Sequence, residues 1–171
     1  HSLAYSITSY HTAYLKLYYP AEFMCSVLNV FKNDQEELGR YVDECRRMKL
    51  EILPPDVNLS EHEWSIQEGK LRYGLEAIRD VGSDAAETIK RLRPFKSIED
   101  FWLRNTGINS RAMKGLIFGG AFDSLYPYRF SLFQFLEKDE KKKSRKKYQE
   151  ASLFDLSEMF EKNMTEKLIQ K

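Results

Sequence analysis

The chain is poor in cysteine and histidine and has no long apolar run. Among its 171 residues are two cysteines and three histidines. Cys25 and Cys45 lie in apolar, helix-like segments without a His or Cys at metal-ligand spacing, which indicates small buried residues in a reducing compartment. The longest uncharged stretch, Ser2 to Leu15, falls short of the roughly 18 apolar residues that a membrane span requires. Disulfide scaffolds, zinc modules and a transmembrane helix are therefore disfavoured, and no membrane partner is expected.

An excess of charge of either sign is also lacking, because 27 Lys and Arg residues face 26 Asp and Glu residues. Hydrophobic residues make up 42% of the chain, enough to bury a core in one domain or two small ones. The histidines are scattered, and no Ser, His and acid arrangement, paired-carboxylate motif or metal-binding set stands out. The sequence begins at His1 without a signal pattern, which predicts a piece of something longer, or else a tag remnant.

Helical spacing of apolar residues dominates the first third of the chain. From Ser9 to Phe31 they recur at three and four, and Pro20 predicts the start of a second helix. A third helix is expected from about Asp34 to Lys49, with acidic residues at its start and basic residues at its end. Pro54 and Pro55 then force an extended path.

A short hairpin is expected next, with Trp64 to Ile66 and Leu71 to Tyr73 flanking a turn at Glu68 and Gly69. Short helical segments follow as far as Phe135, and the basic stretch 138–147 is typical of a solvated linker. The predicted fold is mostly α with a minor β-hairpin. The expected divisions are 1–73, 74–136 and 137–171.

The segment from Gly74 to Ile89 has the outline of a helix-hairpin-helix unit, with its turn around Val81 and Gly82. Such a turn aims free backbone N–H groups at the start of a helix toward one phosphate, without reading any base. Basic side chains around it would add phosphate contacts. The expected DNA contacts of this first unit are Val81, Gly82, Ser83, Asp84, Lys90 and Arg91. The alternative is an ordinary helical hairpin in which Gly82 merely permits the turn.

A fainter second copy runs from Arg111 through Gly119 and Gly120 to Leu125, with Ser110 as a possible N-cap. Gly119 and Gly120 are its expected DNA contacts, and a packing hairpin with a glycine C-cap is the alternative.

The tail presents Gln149 upstream of Ser152-Leu153-Phe154, typical of a motif that inserts an apolar pair into a partner's pocket. The alternative for the tail is one face of a terminal helix that packs on its own domain.

Taken together, these residues resemble the bacterial C-family replicative DNA polymerases, the family of the DNA polymerase III alpha subunit. The resemblance spans about residues 1 to 130, in order and at family-like spacing. The matching stretches are His1-Ser2-Leu3-Ala4-Tyr5, Tyr10 with Thr12, Tyr14-Leu15-Lys16, Tyr19-Pro20-Ala21-Glu22-Phe23-Met24, Glu44-Cys45-Arg46, Leu53-Pro54-Pro55-Asp56-Val57-Asn58, Tyr73-Gly74-Leu75 with Ala77-Ile78, Val81-Gly82 and Gly120-Ala121-Phe122-Asp123.

This resemblance implies the later part of the fingers domain followed by a tandem helix-hairpin-helix region that contacts duplex DNA, the primer-template. It also implies that His1, Ser2 and Tyr5 line the pocket of the incoming deoxynucleoside triphosphate, with burial in the fingers core as the alternative for Tyr5. The palm aspartates that hold Mg²⁺ in the family would lie elsewhere in the polymerase chain. This segment is then expected to hold no cofactor or catalytic residue and to be inactive alone, within a cytoplasmic, nucleoid-associated nucleotidyltransferase.

Two positions depart from the family pattern. Asp80 stands where the family usually has glycine before Val-Gly, so a carboxylate lies near the proposed phosphate. The tail resembles the family's sliding-clamp motif in Gln149, Ser152, Leu153 and Phe154, with one additional residue between the Gln and the apolar pair. The competing interpretation is a complete, non-enzymatic helix-hairpin-helix module for DNA binding or scaffolding.

Overall fold

A computed structural model describes residues 1–105 and 107–146 of the chain. It divides into two units, residues 1–129 and 130–171. The first unit is mostly helical, as expected. Its helices are α1 (Ser2–Tyr18), α2 (Pro20–Val30), α3 (Gln35–Arg47), α4 (Ser83–Leu92), α5 (Ile98–Arg104) and α6 (Ser110–Gly119), with strands β1 (Ile52–Leu53), β2 (Ser65–Gln67) and β3 (Lys70–Arg72) and a 3₁₀ helix (Leu75–Ala77).

The break between α1 and α2 falls where the sequence predicts it. Tyr19 separates the two helices, and Pro20 opens α2 in its first turn, where its missing N–H costs no helical hydrogen bond. At the start of α3, the Asp34 carboxylate accepts hydrogen bonds from the backbone N–H groups of Glu36 and Glu37. This cap satisfies two amides that the helix itself leaves without partners, so the predicted third helix is confirmed.

The hairpin is also confirmed, since β2 pairs antiparallel with β3. Its turn residues Glu68 and Gly69 both have positive φ, of 51° and 74°. Two successive positive φ values define the type I′ turn, whose twist matches that of the flanking strands. The parallel partner β1 is an addition that the sequence pattern did not indicate. Its two residues are too few to show a periodicity.

Two groups of apolar side chains form the core of the first unit. One joins α2, α3 and the sheet, and it contains Met24, Leu28, Leu38, Cys45, Trp64, Leu71 and Ala77. The other surrounds Phe101, whose ring packs edge-to-face with the rings of Phe95 and Phe122 at centroid distances of 4.7 Å. Both cysteines are free thiols. Burial raises the pKa of Cys45 to about 11, which fits its predicted role as a small buried residue.

The short helices differ from expectation in three places. The segment before the first turn, expected as a helix of the helix-hairpin-helix unit, is only the 3₁₀ helix Leu75–Ala77. The N-cap of α6 is Asn109, whose side chain accepts from the Ala112 N–H, and not Ser110. Residues 121–125 after α6 form turns rather than a helix. At α6 the side-chain cap decides where the helix begins, which the local apolar pattern does not show.

The second unit is described for residues 130–146, all of which are helical. The basic stretch predicted as a linker is thus helical as far as residue 146. Lys and Glu are good helix formers, and Lys143 forms an i,i+4 ion pair with Asp139 at 2.8 Å. Within the described residues, no helix is long and apolar enough to cross a membrane.

Candidate nucleic-acid interface

The turn of the first hairpin connects the 3₁₀ helix to α4. The Val81 N–H donates to the Ile78 carbonyl at 3.1 Å, which closes the turn, and the Val81 side chain is buried. Asp80 takes the left-handed conformation, with φ of +68°. The residue that bends the chain is therefore Asp80, at the position where the resemblance leads us to expect glycine.

Gly82 is not required by the backbone conformation or by packing. Its φ of −88° and ψ of 174° are extended values that other residues adopt. A Cβ built at Gly82 would meet nothing within 4 Å. A glycine in such a place favours the close approach of something outside the chain.

The start of α4 is exposed and has no side-chain cap. Gly82 is its N-cap, and Ser83 and Asp84 begin the helix. Among residues 1–105 and 107–146, no hydrogen-bond partner is recorded for the backbone N–H groups of Gly82, Ser83 or Asp84. Three amide donors thus point away from the helix with a partial positive charge. The Asp84 carboxylate lies in this first turn and would compete with an anion there.

Some basic residues near the first hairpin turn are already paired with carboxylates of the chain, and others are exposed. Lys90 forms an ion pair with Glu61 at 2.5 Å, and Arg93 pairs with the same carboxylate at 2.9 Å. These pairs lower the pKa of Glu61, with Lys90 as the main cause. Lys90 is consequently neutralised within the chain, whereas the side chain of Arg91 is exposed.

A second ion-pair network lies at the other side of the turn. Lys32 pairs with Glu63 at 2.6 Å and with Glu76 at 2.8 Å. His62 lies between two carboxylates, with Nδ1 3.1 Å from Glu76 and Nε2 3.2 Å from Glu87. Hydrogen bonds to Glu63 and Glu76 raise the pKa of Lys32, and Lys32 and His62 lower that of Glu76. These ion pairs connect the segment after α2 to the 3₁₀ helix of the first helical hairpin.

Helix α6 packs closely against the first hairpin through two glycines one turn apart. A Cβ at Gly115 would overlap the backbone carbonyl oxygen of Arg79. A Cβ at Gly119 would come within 2.9 Å of Ile78 Cγ2. The structure therefore places the predicted DNA contact Gly119 against Ile78, where its missing side chain serves helix packing. The i,i+4 spacing of the two glycines was a signal for this contact that the sequence analysis did not use.

The second turn is covered by a side chain of its own unit. Gly120 caps α6 with φ of +85°, and it is buried. The Arg129 guanidinium lies over it, forms an ion pair with Asp123 and donates to the Phe118 carbonyl at 3.0 Å. The hydrogen bond between Arg129 and Asp123 raises the pKa of Arg129. A duplex would reach Gly120 only if Arg129 moved away.

An open groove of about 530 Å³ runs beside Gly82. It is bounded by the segment after α2, the first hairpin turn and the start of α6. At its edge Arg111 Nε lies 2.8 Å from Asp80 Oδ1. The Asp80 carboxylate is thus neutralised by α6, which sequence reasoning missed because the partners are thirty-one positions apart.

The predicted nucleotide contacts lie at the start of α1. His1 precedes the helix, its carbonyl accepts from the Tyr5 N–H at 3.1 Å, and the Ser2 carbonyl accepts from the Ser6 hydroxyl at 2.9 Å. His1, Ser2 and Tyr5 are all exposed, and none of the α1 side chains is buried. The tail residues Gln149, Ser152, Leu153 and Phe154 lie outside the described residues. No cluster of potential metal ligands occurs within residues 1–105 and 107–146.

Part of the chain is similar in sequence to a known motif family. Residues 49–132 match the sequence family described as the helix-hairpin-helix motif. This range includes both turns and α4 to α6, so the predicted helix-hairpin-helix unit is confirmed.

Similarity to complete proteins extends beyond that range. The DNA polymerase III alpha subunit of Campylobacter jejuni is 40% identical over 146 residues, which cover 80% of this chain and 12% of the relative. That of Pseudomonas fluorescens is 43% identical over 134 residues, 75% of this chain and 11% of the relative. That of Vibrio cholerae is 35% identical over 167 residues, 94% of this chain and 14% of the relative.

The chain therefore belongs to the family of DNA polymerase III alpha subunits. It spans about an eighth of the length of the curated relatives that it matches.

Proposed function

We propose that this chain forms part of a DNA-directed DNA polymerase and holds the sugar-phosphate backbone of the primer-template duplex without reading its sequence. The exposed, uncapped start of α4 carries this proposal. Gly82, Ser83 and Asp84 offer amide donors, and the open space at Gly82 allows a phosphate to approach the backbone. Membership in the polymerase family favours DNA as the source of that phosphate.

The chemistry of such a contact is positioning rather than catalysis. Backbone amides bind any phosphate equally, so the contact tracks the duplex and carries no base information. Nucleotidyl transfer in the whole enzyme needs Mg²⁺ held by carboxylates, which we assign to another part of the polymerase. The segment is then inactive alone, and the remainder of the polymerase chain is its obligatory partner.

Two further roles follow from the family resemblance. The exposed first turn of α1, with His1, Ser2 and Tyr5, faces the deoxynucleoside triphosphate in this proposal. The tail with Leu153 and Phe154 tethers the polymerase to a sliding clamp.

Duplex binding by the 171-residue chain tests the main proposal, with affinity measured across a range of salt concentrations. Each phosphate that a Lys or Arg side chain neutralises contributes a slope of about −0.9 in log affinity against log salt. Gly82→Ser adds a side chain in the path of the phosphate and a hydroxyl that can cap the amides itself. We expect it to weaken duplex binding by about tenfold or more, because a hydrogen bond to a charged group contributes about 1.5–3 kcal/mol. The helix itself is expected to be stabilised by a few tenths of a kcal/mol.

Gly39→Ser is the matched control. Gly39 lies on α3, is exposed and likewise has nothing within 4 Å of a built Cβ. We expect this variant to bind duplex like the parent. Binding of the parent that is independent of salt, or equal binding by Gly82→Ser and the parent, would contradict the proposal.

A further inference from the structure

The pair formed by Asp80 and Arg111 is not explained by folding stability. Arg111 is 79% exposed and Asp80 is 29% exposed, and an exposed ion pair contributes little to stability. Asp80 also has φ of +68°, which costs an aspartate more than it would cost a glycine. Local backbone strain is typical of functional sites, and here the pair fixes the position of the Arg111 charge.

The guanidinium of Arg111 stays accessible although it is paired with Asp80. Its Nε lies 2.8 Å from Asp80 Oδ1, and 79% of the Arg111 side chain is exposed. An arginine has five donors in a planar fork that matches the oxygens of a phosphate. Arg111 lines the same groove as Gly82, the N-cap of α4.

The other charges of the groove come from the elements that bound it. Lys32 is engaged by Glu63 and Glu76, so its charge is compensated within the chain. Arg79, in the hairpin turn, is exposed and also lines the groove. Among the residues that line this groove, Arg111 is the cation that α6 contributes.

We propose that Arg111 binds a phosphate of the duplex next to the one at Gly82, and that Asp80 is the positioning residue that holds its guanidinium there. This inference rests on the proposed duplex binding. The Asp80 carboxylate, unfavourable to an anion by itself, becomes part of the interface through its pair with Arg111. The aspartate of the hairpin turn and the arginine on α6 then act as one unit.

Salt-dependent duplex binding by the 171-residue chain tests the role of Arg111. Arg111→Ala removes one phosphate contact, which lowers the magnitude of the slope by about 0.9 and the affinity by about 8-fold at about 0.1 M salt. Arg111→Lys keeps the charge and is expected to keep the slope. Arg40→Ala is the matched control, because Arg40 is also exposed and ion-paired, with Glu37 on α3. We expect Arg40→Ala to keep the parent's slope.

Asp80→Gly tests the positioning role. In this background Arg111 is no longer held, so Arg111→Ala is expected to lower affinity only about 2-fold instead of about 8-fold. Equal losses in both backgrounds would overturn the role of Asp80. A slope unchanged by Arg111→Ala, in a chain whose binding still falls with Gly82→Ser, would overturn the role of Arg111 alone. A parent chain without salt-dependent binding would instead defeat the proposed function itself.

Discussion

Replacement of Gly115 by alanine tests whether α6 and the first hairpin are held together by backbone contact. Gly115 lies inside α6, and the face that carries it packs on the Arg79 carbonyl. An added Cβ would overlap that oxygen and would lie 3.3 Å from Val81 Cγ2. Because the obstacle is backbone rather than the end of a flexible side chain, it cannot move aside cheaply.

The expected magnitude follows from two opposing effects. Alanine is better than glycine inside a helix by about 0.8–1 kcal/mol. Forcing an extra carbon into a packed contact typically costs about 1–3 kcal/mol, and overlap with a carbonyl oxygen lies at the upper end. We therefore expect Gly115→Ala to lower the free energy of unfolding by about 1–2 kcal/mol, or Tm by about 2–8 °C in a chain of this size.

Gly39→Ala supplies the control for this prediction. Gly39 is also inside a helix, and its built Cβ has open space around it. In Gly39→Ala only the higher helix propensity of alanine acts, and it raises the free energy of unfolding by about 0.5–1 kcal/mol. Denaturant unfolding followed by far-ultraviolet circular dichroism measures both variants. Equal stabilisation by the two substitutions would refute the close packing of α6 on the hairpin.

The remaining predictions concern an acid-sensitive pair and the tail. Lys32, and then His62, lower the pKa of Glu76 in the folded chain below its ordinary value of 4.5. The ionised Glu76 therefore stabilises the fold above pH 4.5, and this contribution is lost as the pH falls through the pKa of Glu76 in the folded chain. Glu76→Gln should lower the free energy of unfolding at neutral pH by about 1–2 kcal/mol and flatten its fall in acid, whereas Glu37→Gln, in an exposed pair on α3, should change little. An acid profile identical to the parent's would contradict this. The double variant Leu153→Ala with Phe154→Ala should lose sliding-clamp pull-down, and retained binding would exclude the motif.

The sequence predicted the parts of the fold that are decided locally. Pro20 breaks a helix because of its own ring, and Asp34 caps the next helix with its own carboxylate. Glu68 and Gly69 form the turn expected between two short apolar segments. In each case the deciding atoms lie within a few residues, so a pattern in the sequence carries the information.

The sequence could not predict what depends on distant partners. The covering of Gly120 requires Arg129 to fold back over the turn. The neutralisation of Asp80 requires Arg111, which belongs to another helix. The exposed turn at Gly82 was predicted, but which neighbouring cations are already engaged by carboxylates is a tertiary property.

The bare start of α4 links the proposed duplex binding to the dynamics of the chain. A serine at position 82 would cap this helix, so the glycine leaves its first turn less firmly held. Amide hydrogens of Ser83 and Asp84 should then exchange with solvent quickly in the free chain and slowly once a phosphate occupies them. A bound phosphate would itself complete the helix, and under the proposed function the interface would reach its full order only on a bound duplex.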